Sequence, residues 1–170
     1  WFRFIDDIFF IWQHGSDSLN EFLSFANSKH PSIKFTMDSS PVEINFLDTL
    51  IKIDPESRDP YTTLYTKPTD TRDFLHYKSA HPRSNKTGGP YGQFLRLRRI
   101  CTKDADFNLE SHKLLLAYIR RGYPLNILES HLIKAGSYQQ NDLLEPVIKT
   151  NIEKPVLILD YNPGNPNIIS

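Results

Sequence analysis

One cysteine, Cys101, is present in 170 residues. A lone thiol excludes an internal disulfide framework and a cysteine zinc cluster, and it fits a reducing compartment. No stretch approaches the ~18 consecutive apolar residues of a membrane-spanning helix, so a membrane is not an expected partner. Signal-peptide patterning and internal repeats are also missing. The chain opens on Trp1 rather than Met, so we expect a piece of a longer protein. Its length suits one domain or one and a fraction, and at 39% hydrophobic residues it can bury a core.

Net charge is missing too, but only in the sum. Residues 1–60 carry 5 Lys/Arg against 10 Asp/Glu, whereas residues 61–103 carry 9 against 2. An acidic start and a basic middle suit a protein that handles metal and phosphate. They equally suit two surfaces of one domain that neutralise each other.

What is there begins at once. Phe2 to Ile5 and Ile8 to Trp12 are aromatic and β-branched, the composition of strands. Between them stand Asp6 and Asp7. Charges are costly inside a buried strand, so a tight hairpin with both aspartates at its tip is expected, flanked by two buried strands. Paired carboxylates held this way are candidate ligands for Mg²⁺, which binds through one or two carboxylates plus substrate phosphates. A solvated Asp-Asp turn is the alternative.

Further along, a helix is expected over 19–28, with Leu19, Phe22, Leu23 and Ala26 on one face, stopped by His30-Pro31. Strands are expected over Ile33–Met37, over a long run Val42–Ile53, and over Tyr61–Tyr65. Residues 67–89 read as a basic, irregular connecting loop. Three helices follow. Pro90 opens the first, in which Phe94, Leu97 and Cys101 share a buried face while Arg96, Arg99 and Lys103 form a cationic stripe. The second runs from Asn108 to Arg121 with Leu115, Tyr118 and Ile119 buried, and Gly122 stops it. The third opens at Pro124, aligns Leu125, Leu128, Leu132 and Ala135, and ends at Gly136. The last two, joined by Gly-Tyr-Pro, read as a helix-turn-helix-like pair. A short strand, Val156–Leu159, interrupts a linker-like tail over 138–170. The expected class is therefore α+β: an antiparallel sheet fragment with a packing helix over 1–66, then a three-helix unit over 90–137.

Taken in order, several runs resemble the late palm and thumb of Penelope-like retroelement reverse transcriptases. They are Arg3 to Trp12, His30 to Met37, Ile44 to Asp48, Leu64 to Thr71, Phe74 to Tyr77, His81-Pro82, Pro90 to Cys101 and Arg120 to Pro124. The resemblance implies an RNA-directed DNA polymerase, a nucleotidyltransferase of nuclear location. Asp6 and Asp7 would be its paired catalytic, Mg²⁺-binding aspartates. Phe46 and Leu47 would lie in the primer-grip hairpin. Lys86, Arg96, Arg99 and Lys103 would contact the phosphates of an RNA template and DNA primer, with deoxynucleoside triphosphates as substrates. The family's third carboxylate and fingers lie upstream of the hairpin and its endonuclease downstream, and this chain has neither. By that resemblance it would be an inactive fragment whose partners include those missing regions.

Two other readings stand beside it. The helix pair could be a non-catalytic nucleic-acid-binding module, with Asn126, His131 and Lys134 as the side chains available to read bases. The chain could also be an inert retroelement remnant. Asp48-Thr49-Leu50 lacks the glycine of an aspartic-protease turn, and the six histidines form no close ligand set.

Overall fold

A computed structural model of the chain describes residues 1–145. The fold is α+β: two small antiparallel sheets, a helix packed beside the first, and a helical unit that holds most of the core. The expected strand Val156–Leu159 and the rest of the tail from residue 146 lie outside the described residues.

Strands β1 (Phe2–Phe4) and β2 (Asp7–Phe9) pair antiparallel, Phe2 opposite Phe9 and Phe4 opposite Asp7. The tip is the two-residue turn Ile5-Asp6, so Asp7 is not at the tip but opens β2. Ile5 has φ +53, a left-handed value that β-branched residues rarely adopt and that two-residue hairpin loops demand. The Arg3 guanidinium donates to the Ile5 carbonyl at 2.8 Å and braces the turn. The expectation of two buried strands does not hold. All of β1 is exposed, Phe2 at 67% and Phe4 at 54%. Only Ile8, Phe9, Phe10 and Trp12 are half-buried, because the described residues supply a second layer on one side alone.

That layer is helix α1 (Ser16–Ser28), which begins three residues earlier than expected and buries Leu19. Gly15 precedes it at φ +84. The Trp12 indole donates to the Gly15 carbonyl at 3.0 Å, and Phe22 packs edge-on against Phe10 and tilted against Trp12. The expected strand Ile33–Met37 does not form. Its backbone is tied to the α1 side chain Asn27, which accepts from Phe35 N–H at 2.7 Å and donates to Phe35 C=O at 3.1 Å. One amide side chain thus takes the place of a neighbouring strand.

The expected long strand over 42–53 is instead a second hairpin, β3 (Glu43–Phe46) and β4 (Thr49–Ile53). Its tip Leu47-Asp48 repeats the first: Leu47 sits at φ +57. Asp48 C=O accepts from Tyr65 N–H at 2.9 Å, which ties the turn to the end of β5 (Pro60–Leu64), the third strand of this sheet.

The sheet docks on the helices through β5. Helix α2 (Arg83–Ile100) ends against it: Thr62 Oγ1 donates to the Ile100 carbonyl at 2.6 Å, and Thr102 N–H donates to the Thr62 carbonyl at 2.9 Å. A strand threonine therefore satisfies one of the carbonyls a helix end leaves unpaired. Helix α2 starts seven residues before the expected Pro90, inside the segment read as a loop. Pro90 lies within it, fully buried. An interior proline costs about 3 kcal/mol, so burial of Pro90, Phe94 and Leu97 must outweigh it.

Helices α3 (Asp104–Arg120) and α4 (Leu125–Gly136) complete the unit. Gly122, at φ +81, ends α3 as expected. Phe94 and Leu97 of α2 and Cys101 just past its end meet Phe107, Leu114 and Tyr118 of α3 and Leu128 and Ala135 of α4 in one cluster. Four details differ from expectation: α3 opens four residues before Asn108, Leu114 rather than Leu115 is the fully buried leucine, Ile119 is 40% exposed, and Leu125 is 48% exposed. A short helix, α5 (Gln140–Leu144), follows, opened by a reciprocal Gln139–Asp142 capping box. Among the described residues no helix is long and apolar enough to cross a membrane.

The two halves should respond differently to truncation. Leu128→Ala removes a side chain with no exposed surface and should cost about 2–5 kcal/mol in urea unfolding. Phe4→Ala should cost within about 0.5 kcal/mol. Equal losses at the two positions would contradict this placement of the core.

Candidate nucleic-acid interface

The segment between β5 and α2 positions the helix pair. Phe74 stacks on Tyr118 at 4.3 Å between centroids, Tyr118 meets Tyr123 edge-on at 4.9 Å, and Tyr77 tilts against Tyr123 at 5.1 Å. The Tyr77 N–H donates to the Arg121 carbonyl at 3.0 Å. Residues 74–77 are thereby laid against the turn between α3 and α4. Gly122 is favoured there by its positive φ of +81, while the His76 ring, 3.7 Å from where a Cβ would stand, is at ordinary contact distance. Burial pushes the Tyr118 phenol up, out of reach of ordinary pH.

This placement gathers cations. Lys86 lies 5.7 Å from the Tyr77 ring and donates to the Ser79 carbonyl at 3.1 Å. Lys78 adjoins Tyr77, Arg83 opens α2, and Arg120 closes α3 beside the turn. None of these four has a carboxylate within 4 Å among the described residues. Sequence reasoning picked out Lys86 and missed Lys78, Arg83 and Arg120. The available signal was charge: the basic excess continues through the segment it read as a loop.

The expected cationic stripe does not stand free. Arg96 is paired with Asp48 at the tip of the second hairpin, and Lys103 with Asp54 at the far end of β4. Arg99 donates to the Leu143 carbonyl at 3.1 Å. Lys103 is moreover not on α2 but caps α3. Two of the three cations therefore clamp the sheet to the helices. Lys103 and the backbone N–H groups of Ser57 and Glu56 hold the Asp54 carboxyl at about 2, below its ordinary 3.8. Elsewhere Arg98, buried, donates to Tyr138 C=O and pairs with Asp104 at 2.7 Å, while Arg72 pairs with buried Glu110 at 3.2 Å.

Asp6 and Asp7 stand exposed at the first hairpin. The structure brings that hairpin beside Phe46, whose ring lies 5.7 Å from Phe9. Phe46 is half-buried, while Leu47 projects at the second tip, 38% exposed. No set of three or more His, Cys, Asp or Glu side chains among the described residues could hold a metal ion. Cys101 is buried, and burial pushes its thiol up, away from the reactive thiolate.

Helix α4 is what a helix-turn-helix would present to a groove. Its exposed side chains include Leu125, Asn126, Glu129, Ser130, Ile133 and Lys134, which is little for base reading and includes one repelling carboxylate. His131, half-buried against Tyr91, has its imidazole pulled down by burial and by Lys134.

The architecture is thus an α+β chain with a helix-turn-helix-like helical unit. Residues 73–133, a little over a third of the chain, match the family model of the animal helix-turn-helix domain. The matched span begins at the segment laid against the turn and ends inside α4. Neither a curated protein nor a solved structure matches the chain.

The Asp54 clamp has a pH signature. A depressed carboxyl contributes stability that is present above its unfolded value and lost as pH falls through its folded value. The window here runs from about 4 down to about 2. The carboxyl carbon of Asp54 should titrate near 2 by NMR, and Lys103→Ala should move the midpoint upward. An unmoved midpoint would remove Lys103 as the main cause.

Proposed function

We propose that this chain binds duplex DNA at the end of the helical unit where α3 turns into α4, and that it does so without catalysis. The observation that carries the reading is the match of residues 73–133 to the animal helix-turn-helix domain. Charge supports it: that span holds ten Lys/Arg against five Asp/Glu, and the four cations around the turn have no carboxylate partner among the described residues.

Phosphate contact supplies most non-specific affinity and makes it salt-dependent. In this reading Lys78, Arg83, Lys86 and Arg120 carry that term. Asn126, in the first turn of α4, is the residue placed to touch a base edge, as the N-terminal residues of a recognition helix do. Weak sequence preference follows, since Glu129 and Ile133 offer neither phosphate attraction nor a bidentate contact. A nuclear location accords with such a role.

The double variant Lys78→Ala/Lys86→Ala should weaken binding to every duplex alike. It should also flatten the slope of log affinity against log salt by about 0.9 for each phosphate no longer neutralised. Asn126→Ala should change the preference among sequences while leaving the slope intact. A full-strength salt slope in the double variant, read by fluorescence anisotropy, would overturn the assignment.

A second reading is favoured by one observation, the exposed hairpin that presents Asp6 and Asp7 next to the Phe46-Leu47 hairpin. In it the chain is part of an RNA-directed DNA polymerase, the two aspartates are part of its Mg²⁺ site, and the helical unit grips the template–primer duplex. A third carboxylate would have to come from another region. Primer extension with Mg²⁺ and deoxynucleoside triphosphates should therefore fail with this chain alone. Extension that Asp6→Asn abolishes would instead make it a self-sufficient polymerase.

A further inference from the structure

Helix α3 carries apolar residues on two sides. The inner side, through Phe107, Leu114 and Tyr118, belongs to the core. The outer side carries a second stripe, Leu109, His112, Leu116 and Ile119, all exposed, with Leu109 at 56% and Leu116 at 41%. The steps along it are three, four and three residues, the spacing of the narrow seam through which two helices pack. The core accounts for the inner side, whereas nothing among the described residues covers the outer one. An exposed apolar stripe with a polar rim marks an interaction surface.

The charges bordering the stripe select its partner. Asp106 and Arg120 stand two heptads apart, hence on the same flank, and neither has an opposite charge within 4 Å among the described residues. A second α3, turned end for end about a two-fold axis between His112 and Leu116, sets Leu109 level with Ile119 of the second copy and His112 level with Leu116. Asp106 then comes opposite Arg120 of the second copy, and the symmetry repeats each pair. Lys113, between them on that flank, is already held by its own Glu110 at 2.6 Å. One surface thus supplies both halves of every contact, as a two-fold interface requires. A parallel pairing instead sets Arg120 beside Leu115 and Lys113 beside Asn108, and leaves Asp106 without a cation. A polar residue within a seam, here His112, fixes register at some cost in stability.

We propose that two copies of this chain pair through the outer face of α3, antiparallel. Leu109 and Leu116 of each copy lie against Ile119 and His112 of the other, and Asp106 pairs with Arg120 twice along one rim. The seam spans eleven residues, roughly 16 Å of helix, which falls short of a standard interface of about 1,600 Å². The dimer is therefore weak and concentration-dependent. Of the four cations assigned to phosphate only Arg120 borders the seam, so the pairing stands whether or not the chain binds DNA.

Analytical ultracentrifugation of the full chain tests it, over concentrations from about 10 μM to about 1 mM. The chain should pass from monomer toward dimer across that range, and Leu116→Glu, an exposed position outside the core, should keep it monomeric. Asp106→Arg and Arg120→Asp should each weaken self-association about tenfold or more, since each sets like charges opposite one another. An equimolar mixture of these two single variants should associate as strongly as the unaltered chain, because one pair re-forms with its signs exchanged and the other is unchanged. That rescue separates a lost contact from a folding defect. A monomer throughout the range would overturn the proposal. So would a mixture no stronger than either variant alone, or association untouched by Leu116→Glu, which would give the contact to another surface such as the first hairpin.

Discussion

Three aromatic contacts in sequence hold the turn between α3 and α4 in register with the segment before α2: Phe74 on Tyr118, Tyr118 on Tyr123, Tyr123 on Tyr77. Each such pair contributes roughly 0.5–1.5 kcal/mol beyond its buried area. Their geometric effect matters more than that sum. They lock an irregular segment, 74–77, to the turn between α3 and α4, and the Tyr77 N–H bond to Arg121 fixes its height. Without that lock the amines of Lys78 and Lys86 have no defined relation to Arg120 or to the first turn of α4. A cationic surface assembled from a loop, a helix start and a helix end depends on the rings beneath it.

The rest of the chain reads as the other half of an electrostatic balance. The acidic excess of residues 1–60 is partly taken up by the helical unit, where Asp48 and Asp54 hold Arg96 and Lys103. Both carboxylates flank the same strand, β4, one at each end. The clamps withdraw the end of the basic segment from solvent-facing duty, while Lys78, Arg83 and Lys86 in its middle have no carboxylate partner among the described residues. Surface pairs of this kind contribute modestly, about 0–1 kcal/mol each. Their effect here is to orient the sheet and to restrict which cations remain available.

Helices α3 and α4 were legible because their signals are local. Gly122 and Pro124 bracket the turn, and Leu128 and Ala135 keep one face of the 3.6 period. The fold class followed from the same patterning. Helix α2 was only half legible: Gly88, Gly89 and Pro90 argue for a loop, and the burial that overrides them depends on α4, some forty residues away. The hairpin tip Leu47-Asp48 was hidden because Leu47 is no turn former and Asp48 is followed by no glycine, so alternating Ile44, Phe46 and Leu50 read as one strand. Asp6 was correctly placed at a turn, but the exposure of Phe2 and Phe4 ran against composition, since a greasy run normally signals burial. The proposed site was legible only at Lys86 and Asn126. Arg96 and Lys103 share a helical spacing, and nothing within that spacing reveals the carboxylates about 48 residues upstream that occupy them.

The cationic surface around the α3–α4 turn and the acidic first hairpin are far enough apart in sequence for NMR to tell which of them meets nucleic acid. Adding a duplex DNA to the isotope-labelled chain should shift the amide resonances of residues 76–78, 83–86 and 120–126, and leave those of residues 5–9 and 46–48 in place. Shifts confined to the two hairpins, with the α3–α4 turn silent, would contradict the DNA-binding assignment and return the first hairpin to its centre.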